Sequence, residues 1–229
     1  MGLLERRKRE KEIRQELAIS AAMAIYDEEG YHAITMERIA ERSELSRAAL
    51  YLYFKSKEEI LINATVSFFD DFAAILQELY DNREKNKNRL LEGLWECFKQ
   101  IYEKNPATFA ASQYFHQREM IRNLPEDLRN ILFKSGVKVV GLQHMIVEYG
   151  VKEGVFIEVD PRTLSEVIWS SFLGIVYLER SKNTLSKKNH LSITHDLALR
   201  VLARGILNQP QENQGNIPKT YEASITKIY

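Results

Sequence analysis

Residues 35–54 read Thr-Met-Glu-Arg-Ile-Ala-Glu-Arg-Ser-Glu-Leu-Ser-Arg-Ala-Ala-Leu-Tyr-Leu-Tyr-Phe, and the rest of the N-terminal region is interpreted around this stretch. A Thr and a Ser each stand before a short run with helical periodicity, which is typical of helix N-caps. Ile39, Leu45 and Leu50 can close a small core between the two runs, and Ala40 allows the helices to approach closely. This spacing predicts two short helices that cross through a tight turn, which is a helix-turn-helix.

The second helix of this motif, over residues 47–54, is predicted to present a lean, hydrogen-bonding face to the outside. Leu50 and Phe54 fill the inward positions. The outward-facing residues are Arg47, Ala48, Tyr51 and Tyr53. Small alanines permit a helix to enter the major groove of DNA deeply. In the alternative interpretation, the two tyrosines pack against the first helix of the chain.

The remaining sequence has helical rather than alternating periodicity, and few Gly or Pro residues interrupt it. It predicts an all-α fold with a long fourth helix that begins near residue 57. The other predicted helices lie at about 5–29, 36–43, 47–54, 88–104, 106–121, 126–152, 162–181 and 192–208. We expect a helix-turn-helix domain over residues 1–55, a helical domain over 56–208 and a tail over 209–229.

Composition and charge narrow the classes of protein. The 32 Lys and Arg residues balance 32 Asp and Glu residues, so the chain of 229 residues lacks the basic excess of many nucleic-acid binders. Cys97 is the only cysteine, which excludes an intrachain disulfide and a multi-cysteine zinc site. The sequence has neither an apolar run that could span a bilayer nor a secretory signal pattern, so we expect a cytoplasmic protein without a membrane partner.

The motif region resembles the TetR family of repressors over roughly residues 13–62. The residues that carry the resemblance are Thr35, Ile39, Ala40, Ser46, Leu50, Tyr51, Phe54, Lys57 and Glu58. One departure is the turn, where Ser43-Glu44 stands in place of the usual Ala-Gly. A left-handed backbone at Glu44 would cost about 1 kcal/mol. Either the turn tolerates that strain or its shape is different here.

The resemblance implies a role for each matching position. Thr35 and Lys57 would hold phosphates at helix N-termini, the tyrosines would contact phosphate or bases, and Arg47 would face the groove. The candidate DNA-binding residues are Thr35, Ser46, Arg47, Ala48, Tyr51, Tyr53 and Lys57. In the alternative, Lys57 and the basic run before residue 15 are simply solvated charges.

The resemblance also implies a C-terminal domain that binds a ligand and forms a dimer. The apolar faces of the last two helices suit a four-helix bundle with a second copy, although an intrachain core would have the same pattern. Aromatic and polar residues could line a pocket for an apolar or aromatic small-molecule effector, or they could be ordinary core. These candidate effector-binding residues are Trp95, Phe98, Tyr102, Phe115, His116, Met120, His144, Trp169, Phe172 and Tyr177.

Other classes of function have weaker support. His116 with Glu119, and His144 with Glu148, each share a helix face, as in helical metal sites, but no Glu-x-x-His repeat accompanies them. Hydrolase and nucleotide-binding motifs are absent. We therefore expect no enzyme activity, no metal and no cofactor.

The expected function is a repressor that binds a palindromic double-stranded operator as a homodimer and is released by its effector. The alternative is a constitutive DNA-binding or partner-recruiting protein without an effector.

Overall fold

The computed structural model describes residues 2–115, 118–186 and 191–208, and in these ranges it contains ten α-helices. The extended pairing in this part of the chain is one isolated antiparallel bridge between Phe156 and Leu207. The prediction of an all-α fold is therefore confirmed.

The N-terminal three helices form the head of the molecule. They are α1 (Leu3–Glu29), α2 (Met36–Arg42) and α3 (Arg47–Tyr53). Helix α1 ends at Gly30, whose φ of 83° is readily adopted by glycine and whose N–H donates to the Tyr26 carbonyl. A short 3-10 turn over Tyr31–Ala33 then leads to α2. Ala18 and Ala22 of α1 are fully buried, so small side chains allow close packing in the head.

Seven further helices follow the head. They are α4 (Lys57–Asp81), α5 (Leu90–Lys104), α6 (Pro106–Phe115), α7 (Arg118–Asn123), α8 (Glu126–Lys152), α9 (Pro161–Ser186) and α10 (Leu191–Ile206). The long fourth helix is confirmed, and most of its apolar residues from Leu61 to Leu79 are buried. The helix predicted over 106–121 corresponds to α6 and α7, with residues 116 and 117 outside the described ranges.

The chain divides into two compact units. The first consists of Met1–Tyr80 with Glu96–Leu142, and the second consists of Asp81–Trp95 with Gln143–Tyr229. Helices α5 and α8 each contribute residues to both units. The domain boundary expected between residues 55 and 56 stays a prediction.

Aromatic side chains from α4, α5 and α6 fill the core of the first unit. Phe72 meets Phe98 edge to face, with ring centroids 5.9 Å apart. Phe109 packs against Phe68 at 6.0 Å and against Tyr102 at 5.2 Å, also edge to face. These geometries are the favoured ones for aromatic pairs and add to the stability from burial alone. The core thus fixes α4, which begins immediately after the head.

In the second unit, the segment after α8 is held against the end of α10. The N–H groups of Val155 and Phe156 both donate to the Gly150 carbonyl, and Ile157 N–H donates to the Ile206 carbonyl at 2.9 Å. The buried Phe156 ring lies over Gly150, where an added Cβ would be only 2.4 Å from it. This close approach requires glycine at position 150.

Candidate DNA-binding site

Both helices of the motif begin with a side-chain cap. Thr35 Oγ1 accepts a hydrogen bond from Arg38 N–H at 3.2 Å, and Ser46 Oγ accepts one from Ala49 N–H at 3.1 Å. The predicted simple caps are confirmed. Each cap satisfies one N–H group of its helix. The other N–H groups of a first turn have no partner within the helix, and a phosphate oxygen could accept from them.

The turn between α2 and α3 is a tight one with Glu44 in the left-handed conformation, at φ +56°. Leu45 N–H donates to the Ala40 carbonyl at 3.0 Å and Glu44 N–H donates to the Glu41 carbonyl at 3.2 Å, which is the Schellman pattern. The buried Ser43 hydroxyl donates to the Ile39 carbonyl at 2.7 Å. Of the two alternatives for this turn, the structure has the first: its shape is retained and the strain at Glu44 is tolerated.

Helix α3 has an inner face that is completely buried and an outer face that is exposed. Leu50 and the following Phe54 are buried in the head, as predicted. The exposed residues of this helix are Arg47, Ala48, Tyr51 and Leu52. Tyr53 is half-buried. The outward orientation of Tyr51 removes the alternative in which that ring packs against α1.

Leu52 is the residue of this face that the sequence interpretation missed. Its side chain is 80% exposed. An apolar residue in a helix is normally assigned to the core, and for that reason Leu52 was not considered. The available signal was its position: two residues after Leu50 and two before Phe54, it cannot share their face of a helix.

Arginine side chains of the motif form ion pairs with nearby glutamates. Arg42 and Arg38 of α2 bind Glu28 and Glu29 at the end of α1, and these hydrogen bonds lower the pKa of both carboxyl groups. The acidic end of α1 is thereby neutralised. On the outer face, Arg47 is paired with Glu37 of α2 at 2.5 Å. The pair is well exposed, so Arg47 can exchange this partner for a nucleic-acid acceptor at little expense.

Lys57, at the start of α4, is held by the segment that precedes α2. Its Nζ donates to the Ile34 carbonyl at 3.0 Å and lies 4.3 Å from the centroid of the Tyr31 ring. Tyr31 in turn donates its hydroxyl to Glu58 at 2.9 Å, and burial together with this hydrogen bond raises the pKa of Tyr31. Because an ammonium group has three N–H donors, Lys57 can hold Ile34 and still donate to a phosphate.

The N-terminal basic run forms the first turns of α1, and these turns are exposed. Residues 4–12 are all exposed, and Arg14 is paired with Glu10 on the same helix at 2.5 Å. Between this helix and the turn lies an open groove of 840 Å³, bordered by Ile13, Leu17 and Leu45. The first turns of α1 therefore form a helical arm whose charges are solvated.

The effector-binding candidates that the structure describes fall in both compact units of the chain. Phe98 and Tyr102 belong to the aromatic core of the first unit. In the second unit, Phe172 lies 5.5 Å from Trp95 and 5.9 Å from Trp169, measured between ring centroids. His144 is half-buried and Tyr177 is largely exposed on α9. His116, with the side chains of Phe115 and Met120, lies outside the described residues.

A buried histidine completes the aromatic cluster of the second unit. His195 of α10 lies 4.8 Å from Phe172 and 5.7 Å from Trp95, ring centroid to ring centroid. The sequence interpretation missed it, although it stands three and seven residues before Ala198 and Leu202 on the apolar face of its helix. A cavity of 240 Å³ elsewhere, between α1, α4 and the start of α6, is lined by none of the predicted effector-binding residues.

Two features of the described residues bear on the class of protein. None of their helices has the length and hydropathy of a membrane span. Within the same ranges, no three His, Cys, Asp or Glu side chains are grouped as a metal site would require.

Comparisons with known proteins agree with the geometry of the head. Residues 18–64 match the family model described as bacterial regulatory proteins, tetR family. The chain is 25% identical over 137 residues to the fatty acid metabolism regulator protein of Bacillus subtilis strain 168, which covers 58% of this chain and 70% of that protein.

Two solved structures share the fold. The SmeT–triclosan complex has a TM-score of 0.68 at 18% identity and covers 90% of this chain and 98% of that one. The transcriptional regulator FadR from Bacillus subtilis in complex with stearoyl-CoA has a TM-score of 0.60 at 18% identity, covering 83% and 98%. At this level of identity the likeness concerns the fold alone.

The all-helical architecture, the capped α2 and α3, and the exposed outer face of α3 define a helix-turn-helix DNA-binding regulator of transcription. The match of its head to the family model specifies the class further. Residues 18–64 of the chain thus form a domain of the tetR family of bacterial regulatory proteins.

Proposed function

We propose that this regulator is a repressor that binds a palindromic operator as a homodimer and leaves it when a lipophilic or aromatic small molecule binds its helical domain. The observation that carries the proposal is α3, a helix anchored by Leu50 and exposing Arg47, Ala48 and Tyr51 together. Such a face matches the width and the donor and acceptor pattern of the DNA major groove.

A homodimer is supported by apolar side chains that α9 and α10 leave exposed. They are Val167, Tyr177 and Leu178 on α9, and Ile193 and Val201 on α10. Apolar faces on neighbouring helices are what a four-helix bundle between two copies requires. Two heads would then read two half-sites about 34–36 Å apart, or a multiple of that distance.

An apolar effector is supported by the aromatic cluster around Phe172 and by the relatives. The Bacillus subtilis relative is a regulator of fatty acid metabolism, and the FadR and SmeT structures contain stearoyl-CoA and triclosan. In the second unit of this chain, Trp95, Trp169 and His195 surround Phe172. An acyl chain or aromatic compound that separates these rings would break their mutual contacts. Its own apolar contacts with the rings would compensate for that loss.

The DNA-binding half of the proposal is tested with an operator selected from random duplex DNA. We expect Tyr51→Ala and Lys57→Ala each to weaken binding while the protein stays dimeric. Loss of the charged phosphate contact in Lys57→Ala should also lower the slope of log affinity against log salt by about 0.9 for each contact. Lys99→Ala is the control, since Lys99 of α5 is paired with Glu96 outside the head. Unchanged affinity in both head variants would refute the assignment.

The effector half is tested on the same complex. Acyl-CoA thioesters of increasing chain length and a set of aromatic compounds are screened for release of operator DNA. By thermodynamic linkage, operator DNA should weaken the binding of any active compound by the same factor. Tight operator binding that no compound changes would favour the alternative, a constitutive DNA-binding or partner-recruiting protein.

A further inference from the structure

Leu52 is exposed on α3, the helix that is proposed to read DNA. Its side chain is 80% exposed on α3, and Ala48, one helical turn earlier, is exposed on the same face. By contrast, Leu50 is fully buried and Phe54 almost so. The core of the head is therefore filled without Leu52.

The neighbours of Leu52 show what this apolar group can meet. Arg47 and Tyr51 provide polar contacts on either side, and the ion pair with Glu37 holds the Arg47 guanidinium close to α2. The exposed aliphatic groups of this helix are the Ala48 methyl and the Leu52 isobutyl group. In the major groove, the 5-methyl group of thymine is the apolar feature that a side chain can recognise, and alanine and other apolar residues contact it.

We propose that Leu52, together with Ala48, recognises the 5-methyl group of a thymine in each operator half-site. This inference rests on the proposed function and specifies which base the α3 face prefers. Contact with a methyl group in the groove would remove from water apolar surface of Leu52 that the folded protein leaves exposed.

The test replaces each thymine of the selected operator, one position at a time, with deoxyuridine, which keeps base pairing and lacks the methyl group. For the wild-type protein we expect one position in each half-site at which the replacement weakens binding about fourfold, or about fifteenfold when both half-sites are changed. For Leu52→Ala we expect weaker binding to the normal operator and little further effect of deoxyuridine at that position.

Leu4→Ala is the matched control, because Leu4 is 81% exposed on the arm of α1 and lies outside the reading helix. It should keep the wild-type dependence on the thymine methyl. The proposal is overturned if Leu52→Ala retains the full effect of deoxyuridine, or if the wild type binds every deoxyuridine operator as tightly as the normal one. Both results leave operator binding, and so the proposed function, intact. Failure to select any operator would instead count against the proposed function.

Discussion

Glu44 has a backbone conformation that is unfavourable for a residue with a Cβ atom. Its φ of +56° lies in the left-handed region, where a Cβ atom crowds the following carbonyl oxygen. The turn keeps this conformation because the hydrogen bonds of Leu45 to Ala40 and of Ser43 to Ile39 determine it from both sides. The strain is thus compensated by neighbouring groups of the same turn.

Glu44→Gly should therefore stabilise the protein. We expect an increase of about 1 kcal/mol in the free energy of unfolding, or about 2–4 °C in Tm, because glycine adopts this φ without strain. Thermal and urea unfolding followed by circular dichroism measure it.

Glu41→Gly is the control for this substitution. It makes the same chemical change at an exposed position in the last turn of α2, and it should lower the stability by up to about 1 kcal/mol, since glycine is a poor helix former. Equal effects of the two substitutions would contradict the strain at Glu44.

Helix α8 shows how one element depends on a distant one. Gly150, in its last turn, lies against the Phe156 ring of the segment that returns to α10. That segment is joined to α10 through Ile157 and Ile206. The Phe156 ring consequently packs against the end of α8 so closely that a methyl group at position 150 has no room.

Gly150→Ala should destabilise the protein by about 1–3 kcal/mol, the usual range for overpacking a closely packed position. The measurement is the urea midpoint at constant denaturant slope.

Gly141→Ala in the same helix serves as the control, because nothing lies within 4 Å of the Cβ that it would add. That variant should be as stable as the wild type or more so, by up to about 1 kcal/mol of helix propensity. A stable Gly150→Ala protein would show that Phe156 can move away without loss.

At the scale of the whole molecule, the proposed repressor requires two copies of the chain. Val201 of α10 is 55% exposed, and we propose that a partner chain covers it. Val137 of α8 is similarly exposed, at 52%, on a helix outside the proposed interface.

Val201→Glu should convert the dimer into monomers, because a carboxylate buried without a partner in an apolar interface is strongly unfavourable. Operator affinity should fall with it, since a monomer reads a single half-site. Analytical ultracentrifugation and operator titration measure the two effects. Val137→Glu should remain dimeric; dissociation of that variant instead of Val201→Glu would place the interface on α8.

Most of the helices could be predicted from the sequence, because their signals are local. Thr35 and Ser46 cap α2 and α3 as expected, and Pro106 stands at the first turn of α6. Buried positions recur every three to four residues along a single helix because its periodicity is 3.6 residues. The same signals, with the family resemblance, identified the helix-turn-helix and its outward Arg47 and Tyr51.

Contacts between distant segments, and the choice between two local turn shapes, could not be derived in this way. The conformation of Glu44 was left open because two turn shapes suit the same residues, and hydrogen bonds to α2 select one of them. His195 joins Trp95 and Phe172 only because three helices far apart in the chain meet there. The orientation of Leu52, in contrast, follows from its position two residues from Leu50 and from Phe54, and only its 80% exposure had to come from the structure. Local sequence specifies backbone periodicity and caps, whereas burial and side-chain partners arise from packing among elements that are remote in sequence.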